Sequence, residues 1–353
     1  MTTTAREQPV VWAPDAVEAR LARVSRDIRR AMLDAIPDGH PHAWLYRVAR
    51  EYPSRTGKAI RPALCLAACT AFGGDEAAVR AIAVAMELLH NAFLVHDDIV
   101  DGSERRRGRP TLPAQYGLGL ALNAGDALAV LSNQVLRRHA NRMDPDLAEG
   151  VLSEFDAMAL RTLEGQATEL GWRRDRVEAL APEDYLDLIM HKTCWYTTVH
   201  PLRVGALIGS AGAADLRPMV RFGFHLGAAF QIQDDLLNLL GTEREYGKEI
   251  DGDLFEGKRT LPLIHLVGNA RGADRRLVDR YLRLERSQRT AAMVGEIRDL
   301  LDAYGSITFA SAYARGIADA ALDAFETAFS AATAGPDLDF VRALVPYMLD
   351  RRA

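Results

Sequence analysis

Two segments of this chain are apolar on every side, and each leads directly into a pair of aspartates. Residues 81–95 precede Asp97 and Asp98, and residues 222–232 precede a second pair that begins at Asp234. A helix that is hydrophobic all round is buried inside a larger bundle. We therefore expect two core helices, each of which carries carboxylates at its polar end.

Most of the chain has a helical pattern. From about residue 14 onward, apolar residues recur at intervals of three and four, and alternation at intervals of two is scarce. This pattern predicts an all-α protein. The 353 residues suffice for two domains or for one large helical domain, and composition does not decide between them. Helices are predicted at 15–37, 61–72, 77–101, 123–140, 145–171, 183–209, 215–240 and 262–268, with others within 274–304 and 308–348.

Composition excludes several classes of protein. A net charge of -5 argues against a nucleic-acid protein whose whole surface is basic. The three cysteines form no paired framework, which fits a reducing compartment. The first residues lack the basic-then-apolar order of a secretory signal, and no uncharged apolar run is long enough to span a membrane. A cytoplasmic protein without a membrane span or a nucleic-acid partner is predicted.

The first acidic cluster has the spacing of a metal site. Asp97 and Asp101 are four residues apart, so they share one face of a helix and repel each other unless a cation lies between them. Mg²⁺ takes oxygen ligands and is commonly shared between carboxylates and substrate phosphates. A cluster of this kind on its own is equally compatible with a solvated acidic helix end.

The second cluster repeats the spacing, with Asp234 and Asn238 four residues apart. Two such clusters at the polar ends of apolar helices can face each other across a cavity and hold a polyanion through bridging metals. Arginine forks and lysine ammonium groups near the clusters suit diphosphate oxygens. These basic residues are Lys58, Arg61, Arg105, Arg106, Arg107, Arg109, Lys248 and Lys258.

Together, these motifs resemble the trans-isoprenyl diphosphate synthases, the polyprenyl synthetase family. The match runs in order over nearly the whole chain. It comprises Gly57-Lys58, Arg61-Pro62, Glu87 to His90, His96 to Asp98 with Asp101, Arg106 to Gly108, Pro110-Thr111, Gly165-Gln166, Lys192-Thr193, Phe230-Gln231, Asp234-Asp235, Gly247-Lys248, Asp253 to Pro262 and Tyr347. The resemblance implies a single large helical bundle around a central cavity, of the isoprenoid synthase type. It also implies one domain over residues 15–353, after a disordered tail at residues 1–14.

The resemblance also implies a role for each matching residue. Asp97, Asp101 and Asp234 correspond to Mg²⁺ ligands, with about three ions in all, and Asp98 and Asp235 to supporting carboxylates. The residues implied to contact the allylic diphosphate are Arg106, Lys192 and Lys258, with Lys248 nearby. Those implied to bind isopentenyl diphosphate are Gly57, Lys58, Arg61, His90 and Arg107, and those implied to face the carbocation are Thr193 and Gln231. A homodimer is implied by the family alone.

Product length depends on the residues before the first cluster. Phe93 lies one helical turn before Asp97, roughly 5.4 Å deeper on the same face, so its ring is a candidate floor for the growing prenyl chain. Ala92 is small and Leu89 lies one turn deeper, which lets the cavity continue past the ring. In the family, bulky residues here shorten products, so this combination favours geranylgeranyl diphosphate (C20) ahead of farnesyl diphosphate (C15). Plain core packing of Phe93 is the alternative.

Two other classes of protein share part of this pattern. A catalytically silent partner subunit usually lacks one acidic motif, whereas both are present here. A class I terpene cyclase or a head-to-head coupling enzyme shares the bundle and the carboxylates. Those enzymes lack the isopentenyl diphosphate set of Lys58, Arg61 and Arg107. The sequence therefore favours a synthase that joins an allylic diphosphate to isopentenyl diphosphate.

Overall fold

The computed structural model describes residues 12–241 and 250–350. Within these ranges, helices make up nearly all of the regular structure, which confirms the predicted all-α class. Strands are limited to a small hairpin, in which β1 (Arg105–Arg106) pairs antiparallel with β2 (Arg109–Pro110). Lys248 and nearly all of the tail predicted at residues 1–14 lie outside the described residues.

The helices of eight or more residues are numbered here in chain order. They are α1 (Pro14–Ala35), α2 (Ile60–Ala71), α3 (Glu76–Asp101), α4 (Leu118–Ala140), α5 (Pro145–Arg174), α6 (Pro182–Ile189), α7 (His200–Gly209), α8 (Arg217–Leu240), α9 (Leu261–Asn269), α10 (Gly272–Leu282), α11 (Ala291–Ala303), α12 (Ser306–Ala328) and α13 (Pro336–Asp350). A π-helical segment, Met190–Val199, joins α6 to α7. The shorter helical pieces are His42–Tyr46, Arg47–Ala49, Glu51–Ser54, Leu112–Tyr116, Gly252–Glu256 and Arg286–Gln288.

Helix α3 is a central element of the bundle. The Asp75 side chain caps its first turn by accepting a hydrogen bond from the Ala77 amide at 2.9 Å, and Gly102 ends it in a left-handed conformation (φ 62°). The helix packs against α1, α2 and α4. By length and composition it is apolar enough to cross a membrane, but 72% of its apolar window is buried within this fold. It is therefore a core helix of the bundle, as its all-round apolar sequence predicts.

Helix α8 packs against both α12 and the π-helical segment. Glycines permit the second contact, because a Cβ at Gly227 would lie 2.6 Å from the Thr198 hydroxyl oxygen, and one at Gly223 would lie 2.8 Å from the Val199 Cα. This close approach fixes α8 beside the segment that carries Lys192. The polar ends of α3 and α8 are thereby brought to the same side of the core.

The structure divides three of the predicted helices. The span 183–209 is helical throughout but contains the π segment, which a search for 3.6-residue periodicity does not detect. Pro201 has no N–H to donate, which is consistent with altered hydrogen bonding just before it. The span 274–304 breaks at residues 283–290, and 308–348 breaks at residues 329–335.

Candidate active site

The carboxyl-terminal ends of α3 and α8 open into one cavity of about 380 Å³. Asp97 and Asp101 line it from α3, and Asp234 and Asp235 line it from α8. Cationic side chains from the π segment, from the β hairpin and from the chain before α9 line the same space. The structure thus brings both acidic clusters and most of the basic motifs to one site.

Asp98, the middle aspartate of the first cluster, turns away from the cavity. It is fully buried and receives hydrogen bonds from Arg106, with Nε at 2.7 Å and 2.8 Å from its two oxygens and Nη2 at 2.6 Å. The Tyr52 hydroxyl donates a further hydrogen bond to it. Although burial opposes the charge, Asp98 raises the pKa of Arg106, so this is a charged pair. Through its pair with Arg106, Asp98 therefore anchors the β hairpin to helix α3.

The other two aspartates of this cluster differ in their neighbours. Asp101 accepts hydrogen bonds from Arg173 Nη1 at 2.8 Å and from Lys258 Nζ at 2.9 Å. Burial disfavours its charge, but Lys258, Lys192 and Arg173 outweigh that effect and lower its pKa. Within the described parts of the chain, the Asp97 side chain has no hydrogen bond or ion pair. Burial, reinforced by Asp101, raises the pKa of Asp97.

In the second cluster, Asp235 has two neutral hydrogen-bond donors. Asp235 accepts hydrogen bonds from the Tyr185 hydroxyl and from Gln231 Nε2, both at 2.7 Å. Burial, then repulsion from Asp253 and Asp234, raises the pKa of Asp235 well above its usual range. This carboxyl is therefore protonated far more readily than Asp101 on the opposite wall.

Asn238, the fifth residue of the second cluster, is 2% exposed and is not among the residues that line the cavity. Its Oδ1 accepts a hydrogen bond from the backbone N–H of Asp253 at 3.1 Å. Asn238 thus holds the short helix Gly252–Glu256, which precedes Lys258. The sequence suggested a ligand position here, and the structure gives the residue a local structural contact.

Two partly buried lysines supply positive charge to the cavity. Lys192, on the π segment, forms an ion pair with Glu169 of α5, and Lys258 pairs with Asp101 and Glu256. Burial opposes their charge, but these carboxylates raise the pKa of both lysines, which keeps them protonated. Gly165 permits the first pair, because a Cβ there would lie 2.3 Å from the backbone nitrogen of Lys192.

The residues assigned by resemblance to isopentenyl diphosphate line another part of the cavity. They are Gly57, Lys58, Arg61, His90 and Arg107. A Cβ at Gly57 would lie 2.8 Å from Arg107 Nη2, so the glycine makes room for that guanidinium. Burial and the neighbouring Arg106 and Arg61 lower the pKa of Arg107 to about 10. Cationic groups crowded in this way favour an anionic ligand.

Tyr196 lines the cavity, although its sequence context did not predict this. Arg61 Cζ lies 4.2 Å from the centroid of its ring, and the Phe93 ring meets it edge-on at 5.9 Å. Tyr196 lies four residues after Lys192, and this spacing was the sequence signal that could have identified it as a site residue. The sequence also did not predict four residues that contact the site residues: Glu169, Arg173, Tyr52 and Tyr185. Contacts between residues far apart in sequence have no local pattern.

The three residues predicted to set chain length lie beside the cavity. Ala92 is fully buried in the core, Leu89 is 8% exposed, and Phe93 is partly buried against Tyr196. None of the three is among the residues that line the 380 Å³ space, whereas the neighbouring His90 and Leu94 are. The ring of Phe93 therefore reaches the site through Tyr196.

The donor set suits a hard divalent cation shared with a substrate. Among the described residues, no group of three or more histidine, cysteine, aspartate or glutamate side chains is close enough to enclose an ion. The carboxylates of Asp97, Asp101 and Asp234 nevertheless supply oxygen donors from facing walls. Mg²⁺ is commonly held by one or two carboxylates together with substrate phosphates. The residues present fit that kind of site.

Comparison with known proteins agrees with this arrangement. The geranylgeranyl diphosphate synthase of Sulfolobus acidocaldarius is 35% identical over 66% of this chain and 70% of its own length. The (2E,6E)-farnesyl diphosphate synthase of Mycobacterium bovis is 34% identical over 77% of this chain and 74% of its own. A crystal structure of polyprenyl synthase from Caulobacter crescentus, complexed with calcium and isoprenyl diphosphate, is similar with a TM-score of 0.83, 26% identity, and coverage of 97% and 98% of the two chains.

A helical bundle whose central cavity joins two acidic clusters to lysine and arginine side chains is typical of enzymes that act on prenyl diphosphates. The polyprenyl synthetase family model matches residues 42–300, and the chain belongs to that family. The fold is the isoprenoid synthase fold of its structural neighbours. The family predicted from the motifs is therefore confirmed, as is the prediction of a prenyl-transferring enzyme.

Proposed function

We propose that this enzyme joins an allylic diphosphate (dimethylallyl, geranyl or farnesyl diphosphate) head to tail to isopentenyl diphosphate, with Mg²⁺ as cofactor. The product is a short all-trans polyprenyl diphosphate, most consistent with geranylgeranyl diphosphate, and inorganic diphosphate is released. Farnesyl diphosphate is the alternative product. The observation that carries this proposal is the single cavity lined by carboxylates of two helices and by two separate sets of cations.

The allylic diphosphate is assigned to the space between the clusters. Lys192 and Lys258 stay protonated there and neutralise the negative charge that grows on the leaving group as the C–O bond breaks. Asp97, Asp101 and Asp234 would hold Mg²⁺, which adds positive charge to the same oxygens when bound. Arg106 is held in place by Asp98 on the border of this space.

Isopentenyl diphosphate is assigned to the second cationic set. Arg61 Nη2 donates a hydrogen bond to Thr197 Oγ1 at 2.9 Å and stacks on Tyr196, so its position is fixed before substrate arrives. Arg107 is fixed by Gly57 and by its 3.3 Å hydrogen bond to the Arg55 carbonyl. Such preorganised cations hold the second substrate with its double bond close to the allylic carbon.

The carbocation formed on ionisation reacts with any water that reaches it, so the site has to exclude solvent. The deep wall of the cavity consists of Leu94, Phe230 and Tyr196, together with polar Thr193 and Gln231. Thr193 Oγ1 donates a hydrogen bond to Gln231 Oε1 at 3.0 Å. The oxygen atoms of Thr193 and Gln231 face the assigned position of the cation. Their mutual hydrogen bond holds both side chains in place.

A homodimer is part of the proposal. Leu118, Leu122 and Val130 project from one face of α4, and Leu160 and Leu163 project from α5, each between 46% and 60% exposed. The two helices are in contact, and we propose that these side chains belong to one apolar surface. A second copy of the chain covers such a surface at a two-fold interface. We also propose a cytoplasmic location and one catalytic domain over residues 15–353.

The direct test is incubation of the enzyme with Mg²⁺, isopentenyl diphosphate and each allylic diphosphate in turn, followed by mass spectrometry of the products. Chain extension that stops at C20 supports the proposal. Accumulation of C15 supports the farnesyl alternative. A cyclic hydrocarbon, a head-to-head product, or no turnover without an added partner chain would refute it.

Phe93→Ala tests the control of chain length. Its edge contact with Tyr196 at 5.9 Å places the ring beside the cavity, and removing it opens space for further isoprene units. We expect products longer by one or more units in the same mass spectrometric assay. Phe224→Ala is the matched control, because Phe224 is also partly buried but lies in a different core cluster. An unchanged product distribution for Phe93→Ala would exclude the ring as a floor.

A further inference from the structure

A second cavity, of about 420 Å³, lies behind the first acidic cluster and shares Asp101 and Arg259 with the active site. Its lining is dominated by arginine. The arginines are Arg173, Arg174, Arg176, Arg259, Arg286 and Arg289, and the acidic residues are Asp101, Glu256 and Glu285. The described lining therefore contains six cationic and three anionic side chains. We call it the arginine cavity.

Arg259 is the most informative of these residues. It is 6% exposed, and its Nε donates a hydrogen bond to the Val177 carbonyl at 3.0 Å while Nη1 donates to the Gly257 carbonyl. Nη2 is buried and has no hydrogen-bond partner within the described residues. A buried charged donor left without an acceptor is costly, so such donors are usually satisfied by a ligand or water.

Arg289 has similar surroundings. It is 8% exposed, its Nη1 donates to the Phe255 carbonyl at 2.7 Å, and its guanidinium lies 5.2 Å from the centroid of the Tyr281 ring. Within residues 12–241 and 250–350, neither Arg289 nor Arg259 forms an ion pair with a carboxylate. Burial, then the neighbouring Arg289, lowers the pKa of Arg259 to about 10. Glu178 and Glu285 act on these two charges electrostatically but do not pair with them directly.

We propose that the arginine cavity is a second anion site, distinct from the substrate sites, and that its ligand is inorganic diphosphate. An anion here would accept the free Nη2 donor of Arg259 and neutralise Arg289, with the exposed Arg174 and Arg176 at the entrance. The choice of diphosphate rests on the proposed function, since that reaction releases one inorganic diphosphate per condensation. Occupancy would place negative charge next to Asp101 and so weaken the hold of Arg173 on that carboxylate.

The test is isothermal titration of the full-length enzyme with inorganic diphosphate in EDTA, where metal-assisted binding between the aspartate clusters is removed. Arg289→Gln removes one buried cation, and Arg174→Gln/Arg176→Gln removes two exposed ones without disturbing the core. The loss of one charge-assisted hydrogen bond predicts about a tenfold rise in Kd for each variant. Arg217→Gln is the matched control, because Arg217 is exposed and paired with Asp215, as Arg174 is with Asp175.

Steady-state kinetics of the same variants separates this site from the substrate sites. The proposal expects the KM values for both diphosphate substrates to stay within twofold of the parent while diphosphate binding in EDTA weakens. Unchanged diphosphate binding in both variants overturns it, and so does a parallel rise in both KM values. Tighter binding of inorganic phosphate than of diphosphate would overturn the choice of ligand. Because titration requires no turnover, these results stand even if the prenyl-transfer assay fails.

Discussion

The two acidic clusters have similar sequences but opposite electrostatic environments. On α3, Asp98 and Asp101 are matched by Arg106, Arg173 and Lys258, so their charges are balanced inside the protein. On α8, the donors to Asp235 within the described residues are neutral, and its pKa is raised by burial and then by Asp253 and Asp234. Asp98 and Asp101 are thus paired with cations inside the protein, whereas burial and neighbouring carboxylates favour the protonated form of Asp235.

The comparison shows that a repeated motif does not imply a repeated electrostatic role. Each middle aspartate accepts a hydrogen bond from a buried tyrosine, Tyr52 for Asp98 and Tyr185 for Asp235. Only the first also has an arginine. We infer that Asp235 tolerates a negative charge less well than Asp101 does, and the following experiments test that difference.

The largest expected effect concerns turnover. Asp97→Ala and Asp234→Ala should each reduce kcat/KM roughly 10³-fold. Each substitution removes a carboxylate proposed to hold Mg²⁺, whose positive charge would stabilise the leaving diphosphate. Asp319→Ala, at an exposed position on α12, is the control and should retain parent activity. Circular dichroism should show intact helices in all three. If Asp234→Ala kept most of its activity, catalysis would depend on the α3 wall alone.

Stability of the metal-free enzyme should separate the clusters next. Asp101→Asn leaves Arg173 and Lys258 without their common carboxylate, and breaking a buried charge pair costs about 3 kcal/mol. Asp235→Asn imitates a protonated acid and cannot ionise in the unfolded chain, so it should raise the free energy of unfolding at neutral pH. Urea denaturation in EDTA at neutral pH and fixed protein concentration measures both. Equal losses would mean that the two walls are electrostatically equivalent.

The same variants should have opposite effects on pH dependence. The lowered pKa of Asp101 contributes stability above its usual pKa of 3.8, and that contribution is lost as pH falls further. The raised pKa of Asp235 contributes stability at low pH, and that contribution is lost as pH rises above 3.8 towards the raised value. Asp235→Asn should therefore flatten the metal-free stability curve above pH 4, and Asp101→Asn should flatten it below. Parallel curves would contradict the comparison.

The smallest effects are expected at the two tyrosines. Tyr185→Phe leaves Asp235 with only the Gln231 hydrogen bond and should cost about 2 kcal/mol. Tyr52→Phe should cost about 1 kcal/mol, because Arg106 still donates three hydrogen bonds to Asp98 and the lost bond from the Leu112 amide is long at 3.3 Å. Chemical denaturation of both variants under identical conditions gives the difference. A larger loss for Tyr52→Phe would reverse the proposed order of the two environments.

Local sequence signals predicted the frame of this site well. The apolar run before Asp97 and the i,i+4 spacing of Asp97 and Asp101 identified a buried helix with carboxylates at its polar end. The apolar run before Asp234 did the same for α8. Both signals depend on helical periodicity and on burial, which neighbouring residues are enough to reveal.

Pairs made across the fold were not predictable in this way. Arg173 reaches Asp101 over 72 residues of chain, and Tyr185 reaches Asp235 over 50. No spacing rule connects residues so far apart. Asn238 occupies the position that corresponds to Asp101, and its amide oxygen accepts a backbone hydrogen bond from Asp253, which its spacing did not reveal.

The π-helical segment Met190–Val199 has a consequence for how this gene can change. It lies between α6 and α7 without a break in the helix, and it carries Lys192, Thr193 and Tyr196. Removing one codon there would restore ordinary α-helical winding and change which side chains of the segment face the cavity. Tyr196 would then lose its contact with Arg61. Thr198 and Val199 would lose their close packing against the glycines of α8. Natural variation in this stretch should therefore proceed by substitution, with its length held constant.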